Sequence, residues 1–137
     1  MDNLLPGIKL EQNAAGATSA GSDVTGTAID MQGYSGVVFF CTIATANAGN
    51  YLKAQAGATS GGASNDLAGT KTVAASDGQL VKLEISRPLD RWVKPVIVRG
   101  GANTVTGPIY AIRYKAGVEP QDNTPAVIAV SPAQGTP

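Results

Sequence analysis

Histidine is absent from this 137-residue chain, and cysteine occurs once, as Cys41. The first absence removes the side chain most used for proton transfer near neutral pH and for transition-metal ligation. The second rules out an intrachain disulfide framework, and one thiol without histidine makes no structural zinc site. Aromatic residues are scarce, at 5% of the chain. Net charge is formally zero, from ten basic and ten acidic residues, so no whole-protein attraction to nucleic acid or to an anionic membrane is expected. The longest apolar run, 36–41, falls far short of the roughly 20 residues that span a bilayer. The first residues, Met1 to Pro6, carry neither a basic start nor a long apolar stretch and do not read as a secretory signal. A reducing cytosol is the expected site of maturation.

What is present is small and β-prone. Seventeen glycines interrupt the chain too often for helices to persist, while Val, Ile and Leu cluster between Gly, Asn and Asp groups. The class expected is all-β, a single antiparallel sandwich of jelly-roll type with about seven strands. A small barrel or tulip-like fold is the alternative. Residues 1–23 read as an N-terminal arm and flexible connector, 24–116 as the sandwich core, and 117–137 as an extended proline-rich tail.

Within the core, 37–45 is apolar on both faces and reads as a central strand covered on both sides. Residues 51–56 place Tyr51, Lys53 and Gln55 on a wetter face. Asp77-Gly78 signals a hairpin leading into a clean alternation over 80–86, with Val81, Leu83 and Ile85 inward. In 89–99, Trp92 shares a face with Val96 and Val98, which reads as core, and Pro95 demands an edge position or a bulge. In the tail, Ala126 to Val130 forms an apolar island that wants a partner strand or groove.

Charge is segregated. Residues 1–50 hold Lys9 against Asp2, Glu11, Asp23 and Asp30, while 51–116 hold nine of the ten basic residues. Acidic ends flanking a basic body suit head-to-tail contact between copies.

Catalytic motifs fail in turn. Without histidine, a serine or Cys41 nucleophile would need lysine or a carboxylate as its base, and no Ser-x-x-Lys occurs. Cys41, among Phe39, Phe40 and Ile43, reads as a buried small hydrophobe. The glycines of 16–21 have phosphate-loop spacing, but Ser22-Asp23 follow where lysine and a hydroxyl are needed. Neither Asn65-Asp66 nor Asp122-Asn123 has calcium-loop spacing. Two convergent carboxylates of a glycosidase remain formally open, with no motif to mark them. Arg87, Arg91, Lys94 and Arg99 beside Trp92 would make a nucleic-acid platform only if the indole were exposed. No enzyme, cofactor or metal is expected.

Three segments carry a resemblance: Leu83 to Gly100 (LEISRPLDRWVKPVIVRG), Gly36 to Ile43 (GVVFFCTI) and Gly107 to Tyr114 (GPIYAIRY). Over roughly residues 30–116 the chain resembles small virion structural proteins of tailed bacteriophages, in particular head decoration (cement) proteins. The resemblance implies a β-rich module made in the host cytoplasm and bound in many copies to the outside of the head. Its partners would be the major capsid protein and itself, commonly as a trimer, with no direct nucleic-acid or membrane contact. On that reading Leu4, Leu5 and Ile8 anchor the arm, and Arg87, Arg91 and Lys94 meet acidic patches. Val127, Ile128 and Val130 add a strand to a neighbour. A carbohydrate- or surface-binding sandwich module and a tail, head-completion or fibre protein are the alternatives.

Overall fold

A computed structural model describes residues 8–115 and the backbone of 126–130. The described residues form strands and connections without helix. Thirteen segments build two sheets: β1 Ile8–Ala14, β2 Ala17–Ala20, β3 Val24–Thr25, β4 Ile29–Asp30, β5 Gly36–Ile43, β6 Asn50–Gly57, β7 Asn65–Asp66, β8 Thr72–Val73, β9 Gln79–Ser86, β10 Trp92–Arg99, β11 Thr104–Thr106, β12 Ile109–Tyr114 and β13 Ala126–Val130.

Several segments are halves of one interrupted strand. Taking β1/β2, β3/β4, β7/β8 and β11/β12 as such, the first sheet runs β1/β2, β11/β12, β5, β9, with β13 outside β9. The second runs β3/β4, β10, β6, β7/β8. Along the chain, successive strands alternate between the sheets except where β6 turns into β7 and where β13 follows β12 in the first sheet. Two four-stranded sheets wound in this way are a jelly roll, carrying one added strand.

The core lies between the sheets. Val37, Phe39, Cys41 and Ile43 of β5 meet Val81, Leu83 and Ile85 of β9, with Leu52 and Ala54 of β6 and Val93 and Ile97 of β10 in the same cluster. β5 is central, as its two apolar faces suggest, but it is not covered on both sides: on its outer side Val38 is buried, Phe40 half-buried and Thr42 exposed, because the second sheet packs on one face alone. Burial pushes the Cys41 thiol up to about 12, in keeping with an inert packing role.

Two expectations are corrected here. Trp92 does not face the core. It keeps company with Val96 and Val98 as expected, but the face that turns inward is the one with Val93 and Ile97. Trp92 is half-buried on the outer side, with the Arg91 guanidinium 5.6 Å from its ring. Pro95 sits in a central strand, neither at an edge nor at a bulge. Its position is tolerated because the neighbouring strand is broken opposite it. β3 pairs with Val96 and Ile97, β4 with Trp92 and Val93, and Gly26 in the gap donates to the Pro95 carbonyl at 2.8 Å. The absent N–H thus faces an interruption in the partner strand.

The segment expected as arm and flexible connector differs as well. From Ile8 onward it is sheet: β1 pairs with β12, and β2 with β11. Its small residues suit close packing, and a buried cation holds them. Arg99, 5% exposed, donates to the carbonyls of Ser22 (2.6 Å), Thr18 (2.7 Å) and Thr104 (2.9 Å). A buried charge is tolerable only when its donors are satisfied.

Replacing Arg99 by methionine keeps the apolar stem and removes the donors, leaving these carbonyls without that partner. The Arg99→Met variant should lose about 3 kcal/mol in urea unfolding. Amide exchange should rise across Ala17–Ala20 before it rises in β5 or β9; unchanged protection there would refute the tie.

Candidate functional site

Sheet register brings the two ends of the described chain to one end of the sandwich. Ile8, Tyr114, Gly36, Ser86 and Val130 stand in a single row across the first sheet. Glycine is required at Gly36, because the Tyr114 ring lies over it and a Cβ there would collide with that ring. The Tyr114 hydroxyl continues across to donate to the Glu84 carboxylate, and both side chains are buried.

Just past this row the connections 31–35 and 87–91 enclose a groove of about 560 Å³. Met31, Pro88 and Leu89 give it apolar walls, Tyr34 an aromatic one, and Arg87 and Arg91 supply the cations. Leu89 is 71% exposed, a large apolar side chain left in water at the rim. Arg87 holds a left-handed backbone (φ 56°), uncommon for a residue with a Cβ, and its N–H donates to the Ser35 carbonyl at 2.7 Å. That bond locks the two connections together.

Charge around the groove is largely paired within the chain. Arg91 grips Asp30 through two parallel bonds, Nε to Oδ1 at 2.9 Å and Nη2 to Oδ2 at 2.8 Å. These bonds hold the Asp30 carboxyl down at about 2, against an ordinary value of 3.8. Arg113 donates to the Asp30 carbonyl at 2.9 Å, pairs with Glu11 at 3.0 Å and lies over the Tyr34 ring at 4.8 Å. Two of the four acids in residues 1–50 therefore satisfy cations of the same subunit, which weakens the head-to-tail charge argument.

The outer face of the second sheet has a different character. Tyr51 lies under Lys71 at 4.6 Å from the ring centroid, and Lys53 pairs with Asp66 at 2.8 Å. Burial raises the Asp66 carboxyl, but bonds from Lys53 and Gln55 outweigh it and hold the group below its ordinary value. Among the described residues no group of three His, Cys, Asp or Glu side chains could hold a metal ion.

The expected interface residues fall into separate places. Arg87 and Arg91 meet at the groove; Lys94, on β10, does not line it. Ile8 begins β1, half-buried opposite Tyr114. Leu4 and Leu5 lie outside the described residues. Val127, Ile128 and Val130 belong to β13, whose backbone pairs with β9 of its own chain. The sequence reading missed the Asp30–Arg91 grip and the groove around it. Sixty-one positions separate the two side chains, and no local pattern joins them.

The sign of the acid dependence follows from the lowered carboxyl of Asp30. Its contribution to stability is fully present above pH ~4 and is lost as pH falls through about 2. Asp30→Asn should therefore be less stable than the parent at neutral pH. The gap in urea midpoint should close as pH drops from about 4 to about 2, while Asp66, present in both proteins, lowers the stability of both alike. A gap that stays constant over this range would show that the pair does not act through charge.

A comparison of the sequence with protein-family models finds no match, and neither does a comparison with curated proteins. Among solved structures, the chain is similar to a subunit of Bacillus endospore appendages, described as a novel family of disulfide-linked pili. The two share 16% identity over 80% of this chain and 88% of that one, with a TM-score of 0.43.

Proposed function

We propose that this chain is a non-enzymatic structural subunit of a tailed-phage particle, a head decoration protein that binds the outer shell in many copies and stabilises it. The observation that carries the reading is the placing of the first and last described strands at opposite borders of one sheet, β1/β2 on one side and β13 on the other. Border strands present unpaired backbone groups to any neighbour, and terminal strands can be exchanged without dismantling a core. The groove at that end of the sandwich, with its exposed Leu89 and its guanidinium groups, adds an apolar and cationic contact patch. Many weak contacts of this kind become strong when neighbours hold each subunit at high local concentration. The partners on this reading are the major capsid protein and further copies of the chain, with a trimer as the unit. The resemblance to decoration proteins supports the choice of head over tail.

A second reading has one observation in its favour. The half-buried Trp92 and Tyr51, each with a cation over its ring, lie on the outer face of the second sheet, as a carbohydrate- or surface-binding module would require.

Quantifying the chain in purified particles decides between head and tail. Decoration predicts a copy number comparable with that of the major capsid protein, and saturable rebinding of purified protein to heads stripped of it. A few copies per particle confined to the tail fraction would overturn decoration. Binding to a glycan array that is lost in Trp92→Ala, with no binding to heads, would favour the second reading.

A further inference from the structure

We propose that β13 is an exchangeable strand, pairing with β9 of its own chain in an isolated subunit and with β9 of a second copy when subunits are assembled. The inference deepens the structural-subunit reading and rests on it.

Its pairing direction is the first support. β13 and β9 make the one parallel pair among the described strands; every other pair is antiparallel. Parallel pairing is somewhat less stable per residue, and it cannot be closed by a tight hairpin, so the chain must return from elsewhere. The ladder is also short, five residues from Ala126 against Lys82 to Val130 against Ser86.

Chain length is the second. Tyr114 ends β12 in the same row as Val130, so the chain must cross three strand spacings and go back four residues to begin β13. That separation is roughly 20 Å from ordinary strand spacing and rise. Residues 115–125 can reach across roughly 35 Å when extended. The connection therefore does not force the strand onto its own subunit.

Equivalence of the acceptor is the third. The backbone groups of Lys82–Ser86 are the same on every copy, so the ladder itself has no preference between its own strand and a neighbour's. Only the tether discriminates. A tether of this length gives an effective concentration on the order of millimolar, so a dilute subunit keeps its own strand. Subunits packed side by side on a common surface reach comparable densities, and exchange then links them at little cost.

Lys82 and Ala126 are register partners, which gives a direct test. Chains carrying Lys82→Cys are mixed with chains carrying Ala126→Cys, oxidised mildly and run on non-reducing gels. Cys41 is buried and stays silent. Thermal melts matching the parent confirm that each variant is folded. Cross-linked heterodimer should rise at least tenfold between about 10 μM and about 1 mM, above the background of either variant alone. A chain carrying both cysteines should close on itself when dilute and link to others when concentrated. Closure within one chain at every concentration, with no heterodimer in the mixture, would overturn exchange; failure of the double variant to close at all would overturn the β13–β9 pairing. If exchange fails while the parent protein still binds heads, the structural-subunit reading stands; if head binding fails, that reading falls separately.

Discussion

A guanidinium buried without a carboxylate must find oxygen elsewhere, and Arg99 finds it in the backbone. Its bonds to Thr18, Ser22 and Thr104 join the first strand of the jelly roll, the last strand, and the β10 strand that carries the arginine itself. Hydrogen bonds to a charged donor are worth more than neutral ones, and a buried donor left unmade costs its full desolvation. The segment 17–22, whose small side chains bring little hydrophobic drive of their own, gains its place from this cation. With that segment in place, the first sheet has its border and the sandwich closes.

Interrupted strands are the second organising feature. β1/β2 breaks at Ala15-Gly16 beside the break in β11/β12 at Gly107-Pro108, where a Cβ on Gly16 would stand 3.1 Å from the Thr106 carbonyl and 3.5 Å from the Pro108 ring. The two breaks are in register, between the pairs Ala14–Ile109 and Ala17–Thr106, while β5 runs past them unbroken. In the second sheet the break between β3 and β4 faces Pro95. Proline and glycine, which would weaken a continuous strand, are thus paired with gaps in their neighbours.

These constraints shape what the molecule presents to others. One sheet offers β1/β2 and β13 at its borders, with Ile8 and Val130 at the end that carries a groove with apolar walls and cations. The other offers paired charges and aromatic rings under cations on its outer face. The first set of features suits repeated contact with like or larger surfaces, and the second suits solubility or a polar ligand. The two faces of the sandwich therefore support different readings, and the strand borders favour assembly.

Much of the fold was legible in the residues. The alternation of Val81, Leu83 and Ile85 and the apolar run 37–43 depend on local chemistry with a period of two, so both survive into the structure. Asp77-Gly78 turns as expected, but it is no hairpin: the strands it joins, β8 and β9, belong to different sheets, because β8 pairs with β6 and β9 with β5. Gly78 takes the positive φ that the turn demands (74°). The inward face of β10 was not legible, because both of its faces carry apolar residues and only the opposing sheet decides which is covered. Nor was the ordering of 17–22, where Thr18 and Ser22 are held by an arginine some eighty positions away. The groove likewise draws on connections more than fifty residues apart. By itself the sequence determined the class, the main strands and the inert role of Cys41, because those follow from neighbours along the chain. Tertiary structure alone decided the face of Trp92, the accommodation of Pro95, the anchoring of the first strand and the parallel seat of β13. Each of those depends on which distant backbone groups are left needing a partner.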